Sequence, residues 1–258
     1  MRPGMKRTVW LIMAVAVNAI LATVSQAQTN SCISSTDGFW DEARIWSLAK
    51  PPSIRQSAIL ITNDASETIT IDSTTATEFK STMTVSNLSV SAPYGSVDTL
   101  YLDNTGTVAL HILDGLTIGI GPANFDNTFA TTEGALITTN STLIVDGLQG
   151  GQLQDDGTLV IAGGSLITTN CSLQVAVLLD DAVGLLIISD AVVQARDVSI
   201  AQGGPSTGSI ELFGGTMTLS SSLTVGSASG LGENYGTMLV ADPCWWLPTL
   251  TLLLNPET

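Results

Sequence analysis

Four times in the second half of the chain a glycine opens a similar stretch of sequence. Gly157 begins GTLVIAGGSLITTNCSLQVA, Gly184 begins GLLIISDAVVQARDVSIA, Gly208 begins GSIELFGGTMTLSSSLTVG and Gly236 begins GTMLVADP, at intervals of 27, 24 and 28 residues. Repetition at that period marks a stacked architecture. Each unit reads as a glycine, a short alternating apolar run, a corner (AGG, SDA or FGG), a second run, a polar corner (TTN or SSS) and a third run. Within the runs, aliphatic side chains fall at every second place, as in Leu159 and Ile161, Ile210 and Leu212, or Leu223 and Val225. Period two is the signature of a strand. A glycine pair lets the backbone take positive φ at a tight bend, so three short strands joined by such corners trace a triangular coil.

One coil cannot hide its own inward Leu, Ile and Val. A second coil laid on it, roughly 4.8 Å further along, pairs the strands in parallel and covers the apolar side. The expected fold is therefore all-β: a single-stranded parallel β-helix, or β-solenoid, with three short strands per rung and an N-terminal cap. No helical periodicity is expected after residue 27. TMTVSNLSV, DTLYLDNTGTVALHILDGLTIG and GALITTNSTLIVDG read as less regular upstream rungs, and the LITTN corner of residues 136–140 recurs at 166–170. The polar insert GPANFDNTFATTEG reads as a protruding loop. GFWDEARIWSLAKPP precedes the first clear strand, AILITN, and supplies Trp40 and Trp46. Because a solenoid ends on unpaired strand and bare core, both indoles are assigned to a plug over that end in preference to a sugar-stacking platform.

Charge and targeting bound the rest. Eight Lys and Arg face 23 Asp and Glu, and three of those cations lie in the first seven residues, ahead of the apolar run VWLIMAVAVNAILATV and the small residues Ser25 and Ala27. That order reads as a cleaved secretory signal over residues 1–27, the run being shorter than the roughly 20 apolar residues of a membrane span. Removing those three cations takes the formal charge from −15 to −18. Such a surface repels nucleic acid and anionic membrane, so neither is expected as a partner, and no span is expected after cleavage. The segment assignment is 1–27 signal peptide, 28–57 cap, 58–243 solenoid repeats and 244–258 an aberrant tail. Export with only three cysteines, Cys32, Cys171 and Cys244, points to a bacterial protein that is secreted or held at the cell surface. QTNSC before Ile33 lacks the apolar and small residues that precede a lipidated cysteine.

The rival to a scaffold is a polysaccharide lyase or hydrolase built on a β-helix. A hydrolase needs one protonated and one ionised carboxyl, and a lyase needs calcium-binding acids and a base. The adjacent acids Asp155 with Asp156 and Asp180 with Asp181 fall in turn-like stretches and read as solvated corners. Arg196, the only cation after Lys80, stands beside Asp197 and reads as a local surface pair. His111 lies within the alternating VALHILDG, with no GxSxG turn to pair with it, and reads as structural. Zinc and haem sites need several His or Cys together, and Asp126 and Glu133 lack any calcium-binding periodicity. No catalytic, cofactor-binding or metal residue, and no cofactor, is therefore assigned. A third reading, a glycan-binding module without turnover, would use Trp40, Trp46, Tyr94 or Tyr101 as stacking surfaces.

ARDVSIAQGGPSTGSIELFGGTMTLSSSLTVGSASG followed by GTMLV resembles the repeats of large exported bacterial proteins of the autotransporter-like, β-strand-repeat type. The resemblance spans most of residues 38–240 and implies a passenger or surface stalk, whose partners would be extracellular glycan or cell-envelope components. The tail CWWLPTLTLLLNPET breaks the pattern. Read from the third base of the Cys244 codon, its bases are compatible with LVATN, a repeat-like corner. A frameshift or truncation is expected there, the alternative being a C-terminal cap.

Overall fold

A computed structural model describes residues 28–93, 95–119, 133–146, 150–153, 156–177, 182–202, 206–227 and 234–241. Strands account for 66% of it, stacked as a parallel β-solenoid of about six turns. The expected signal segment, residues 121–132 of the expected insert and the tail after 241 lie outside the described residues, whereas Glu133 and Gly134, expected to end that insert, already belong to a strand.

Each complete turn contributes to three parallel ladders. The first face is built from Gly38–Phe39, Thr68–Ile71 and Asp98–Asp103, then by residues 133–139, 156–162, 182–189, 206–213 and 234–241. The second runs through 84–85, 110–112, 141–145, 164–168, 192–195 and 216–219. The third runs from Gln28–Ser31 through 56–61, 87–90, 115–118, 150–153, 172–177 and 197–202 to Leu223–Ser227. The four Gly-led repeats fall in register: Gly157, Gly184, Gly208 and Gly236 form one column, which Gly134 extends upstream.

The interior consists of aliphatic columns. Ile69, Leu100, Leu136, Leu159, Leu186 and Ile210 stand one above the next on the first face, all fully buried. Burying each of these side chains is worth about 1.5–3 kcal/mol, so the columns supply the drive for stacking. Ile161 and Leu212 lie in the neighbouring inward column. Val225 closes the column of Val175 and Ile200 yet is 41% exposed, because no described strand of the third face follows it.

Two kinds of glycine shape the corners. Between the first and second faces, Gly163, Gly164, Gly214 and Gly215 have φ of 67°, 74°, 74° and 77°, as the glycine pairs in the sequence require. Asn104, Asn140 and Asp190 hold positive φ in the corresponding corners, a conformation that short polar side chains tolerate. Side chain and gap alternate there, since a Cβ on Gly163 would stand 2.4 Å from Asn140 Oδ1 and one on Gly214 2.5 Å from Asp190 Oδ1. The Gly-led column has another cause. A Cβ on Gly134 would lie 2.2 Å from the Val90 carbonyl oxygen and one on Gly184 2.5 Å from the Ala176 nitrogen, so these glycines permit close approach of the third face to the first.

The two LITTN segments do not occupy the same corner. Leu136 pairs with Leu159 on the first face, whereas Leu166 pairs with Leu143 on the second, so Asn140 and Asn170 end different strands. A three-sided coil with strands of similar length reuses one local sequence at two bends. A short α-helix, α1 (Ser73–Glu78), departs from the expected absence of helix; Asp72 Oδ1 caps it by accepting from the Thr75 amide at 2.7 Å. This helix and the 40–55 segment stand where the first turns lack a second-face strand. Gln28–Ser31 and Gly38–Phe39 already pair with the ladders, so strand and plug interleave within the cap segment.

Candidate functional site

The chemistry-bearing side chains singled out in the sequence meet along one edge, the corner between the second and third faces. His111 points outward from its strand and its Nε2 lies 2.8 Å from Asp146 Oδ2 on the next rung. Asn170, one rung further, donates to Asp146 Oδ1 at 2.8 Å. On the rung beyond, all three guanidinium nitrogens of Arg196 are engaged locally: Nε donates to Asp197 Oδ2 at 2.7 Å, Nη1 to the Asn170 carbonyl at 3.2 Å and Nη2 to Ser172 Oγ at 3.2 Å. Ser222 completes the series by donating to Asp197 Oδ1 at 2.9 Å.

Both acids in this ladder stay ionised. The hydrogen bond with His111, opposed by partial burial and joined by Asn170, holds the Asp146 carboxyl below its ordinary range. Burial alone would raise Asp197, but hydrogen bonds from Arg196, Ser221 and Ser222 and the guanidinium charge bring it down to about 2. A glycan hydrolase needs one carboxyl held protonated opposite the ionised one, and neither member qualifies. His111 and Arg196 are also three rungs apart, roughly 14 Å at the strand spacing. The sequence placed Arg196 correctly beside Asp197 but gave no sign of Asp146, whose partner is 35 residues away.

This ladder is a surface feature, and its contribution to stability is expected to be small. Arg196→Met should lower the denaturant-derived stability by less than about 1 kcal/mol, as exposed ion pairs do. The depressed Asp197 carboxyl contributes stability fully present above its unfolded value near 3.8 and lost as pH falls through about 2. An Asp197→Asn chain should therefore show a flatter acid-unfolding limb.

The aromatic candidates divide. Trp40 and Trp46 are fully buried, edge to face with centroids 5.2 Å apart, and neither presents a ring to solvent. Tyr101 is half-buried on the outside of the first face, its hydroxyl 3.3 Å from Asp103 Oδ1 and from Thr139 Oγ1. Tyr94, Asp126, Asp155, Asp180 and Asp181 lie outside the described residues. Asp156 is paired by register with Glu133 and Val183 at the head of first-face strands. Among the described residues no group of three or more His, Cys, Asp or Glu is arranged to hold a metal, and no helix is long and apolar enough to cross a membrane.

One buried polar cluster was not foreseen. Near the start of the solenoid, Cys32 Sγ donates to Glu67 Oε1 at 3.0 Å, the Asn63 side-chain amide donates to the same oxygen, and the Asn63 backbone amide donates to Asp98 Oδ2 at 3.1 Å. Burial, then the hydrogen bond to Glu67, pushes the Cys32 thiol up to about 12. Cys32 and Cys171 are both free and buried, and Cys244 lies outside the described residues. No protein-family model, no curated protein and no solved structure matches the chain.

Proposed function

We propose that this chain is a non-catalytic β-solenoid scaffold, secreted or exposed at the bacterial surface, of the adhesin-like or cell-envelope structural kind. One observation carries the reading: His111 and Arg196, the base and the cation singled out in the repeat region, are each paired with an acid, Asp146 and Asp197, along a single corner where Asn170 bridges the two pairs. Aliphatic columns fill the interior, and about six turns at the strand spacing make a stiff element roughly 29 Å long. Burial of both tryptophans supports a structural use of the aromatics over sugar stacking.

The placement of Cys32 favours a free, unlipidated N-terminal segment. Lipidation makes the modified cysteine the first residue, which would remove Gln28–Ser31 from its ladder with residues 56–61. It would also put an acyl chain on a side chain that is 5% exposed.

Two measurements test the proposal. Cells expressing the full reading frame should deliver the chain beyond the inner membrane, where added protease reaches it; retention in the cytosol would refute the export half. The purified chain, incubated with pectin, alginate, xylan and peptidoglycan, should release neither reducing ends nor unsaturated products. Turnover that Asp146→Asn or Asp197→Asn abolishes would replace the scaffold with the carbohydrate-active enzyme.

A further inference from the structure

The Gly-led column changes character at its upstream end. Asp98 pairs in register with Gly134, and Glu67 precedes the Thr68–Thr99 pair, so two acids occupy successive rungs of the column that glycine fills downstream. Glu67 is 2% exposed and Asp98 0%. Each also keeps one enclosed oxygen, Glu67 Oε2 and Asp98 Oδ1, without a hydrogen-bond partner.

Successive positions of a parallel ladder are roughly 4.8 Å apart, and two enclosed carboxylates that close cannot both be charged. The groups around them offer no relief. Cys32, Asn63 and the Glu67 backbone amide supply the hydrogen bonds, and the next charges outward are Asp37 and Asp64, both of the same sign. No lysine, arginine or histidine hydrogen bonds either carboxyl among the described residues.

We propose that Glu67 and Asp98 share a proton and form a pH-operated latch on the N-terminal end of the solenoid. While the proton is held, Cys32 stays docked on Glu67 and Gln28–Ser31 stays on the third-face ladder. Loss of the proton to solvent leaves two like charges in one enclosed column, and the chain relieves them by lifting residues 28–37 away. The direction of titration agrees with that geometry: burial first, and then the Glu67 charge, pushes Asp98 up to about 7, and burial raises Glu67 as well. A carboxyl raised above its unfolded value contributes stability that is full below about pH 4 and is lost as pH rises through about 7. The latch is therefore closed in acid and loosened in alkali.

Amide exchange of residues 28–33 and 56–61, corrected for intrinsic rates and followed from pH 5 to pH 8, tests the latch. One proton lost on opening predicts an opening constant that climbs about tenfold per pH unit to near pH 7 and then levels off. Asp98→Asn should flatten that climb, and Glu67→Gln serves the same purpose if the first variant does not fold. Repulsion spread over the acidic surface is screened at 0.5 M salt, whereas an enclosed pair is not, so the climb should persist in salt. In the unmodified chain, carbon-13 labelling should show one carboxyl titrating near neutrality. A flat profile, a climb that survives in either variant, a climb erased by salt, or carboxyls that all titrate below pH 5 would overturn the proposal.

Discussion

Gly164→Ala is expected to destabilise the solenoid by more than about 3 kcal/mol, a loss confined to substitutions that force a named steric failure. Gly164 has φ of 74°, and a Cβ there would stand 2.1 Å from the Ser141 carbonyl oxygen and 2.6 Å from the Ser141 nitrogen. Both atoms are backbone of the adjoining rung, whose residues 133–139 and 141–144 are held on either side of the corner by ladders to residues 156–162 and 164–167. They cannot swing aside as the end of a long side chain would. Gly106→Ala supplies the control. Its φ is 62°, but a Cβ there has nothing within 4 Å, so only the conformational cost of roughly 1–2 kcal/mol applies. Denaturant melts of the two variants separate crowding from backbone preference, and equal losses would show that the corners are not close-packed. Stability in a stacked array is a sum of turns and the interfaces between them. A failed corner at Gly164 should therefore split a single transition into two.

The sequence disclosed the repeat in its regular half and disclosed little where the spacing wandered. Gly157, Gly184, Gly208 and Gly236 recur at nearly even spacing, and they share a column. Upstream, 36 residues separate the paired Leu100 and Leu136, while 23 separate Leu136 and Leu159. Unequal turns conceal which residue stands over which, and so Asp98 and Glu67 could not be recognised as substitutes for glycine. The same blindness merged the two LITTN corners, because local sequence encodes a bend but not which side of the coil it serves. His111 and Arg196 were visible as isolated oddities. Their common edge was not, since it is assembled by stacking across three rungs.

The plug at the start of the solenoid provides the second large effect: Trp40→Ala should cost about 3–5 kcal/mol, the range for emptying an aromatic site in a core. The indole of Trp40 is fully buried, its Nε1 donates to the Thr82 carbonyl at 3.2 Å, and its own carbonyl accepts from Trp46 Nε1 at 2.9 Å. The pair fills the space beside the first turns where the second-face strand is missing and belongs to one buried cluster with Ile45, Ala76 and Met83, so removing the Trp40 indole leaves a cavity within that core. Neighbouring Phe39 is 46% exposed, and Phe39→Ala should cost less than about 1 kcal/mol. Trp40 and Trp46 touch edge to face, so the double substitution should fall short of the sum of the singles by about 0.5–1.5 kcal/mol. Opening should concentrate in residues 56–61 and 68–71, the strands under the plug, and amide exchange there reports it directly. If the indoles instead formed a sugar platform, Trp40→Ala would leave the melt unchanged and weaken retention on a glycan column, a result that would move the aromatics from the core of the scaffold to its surface.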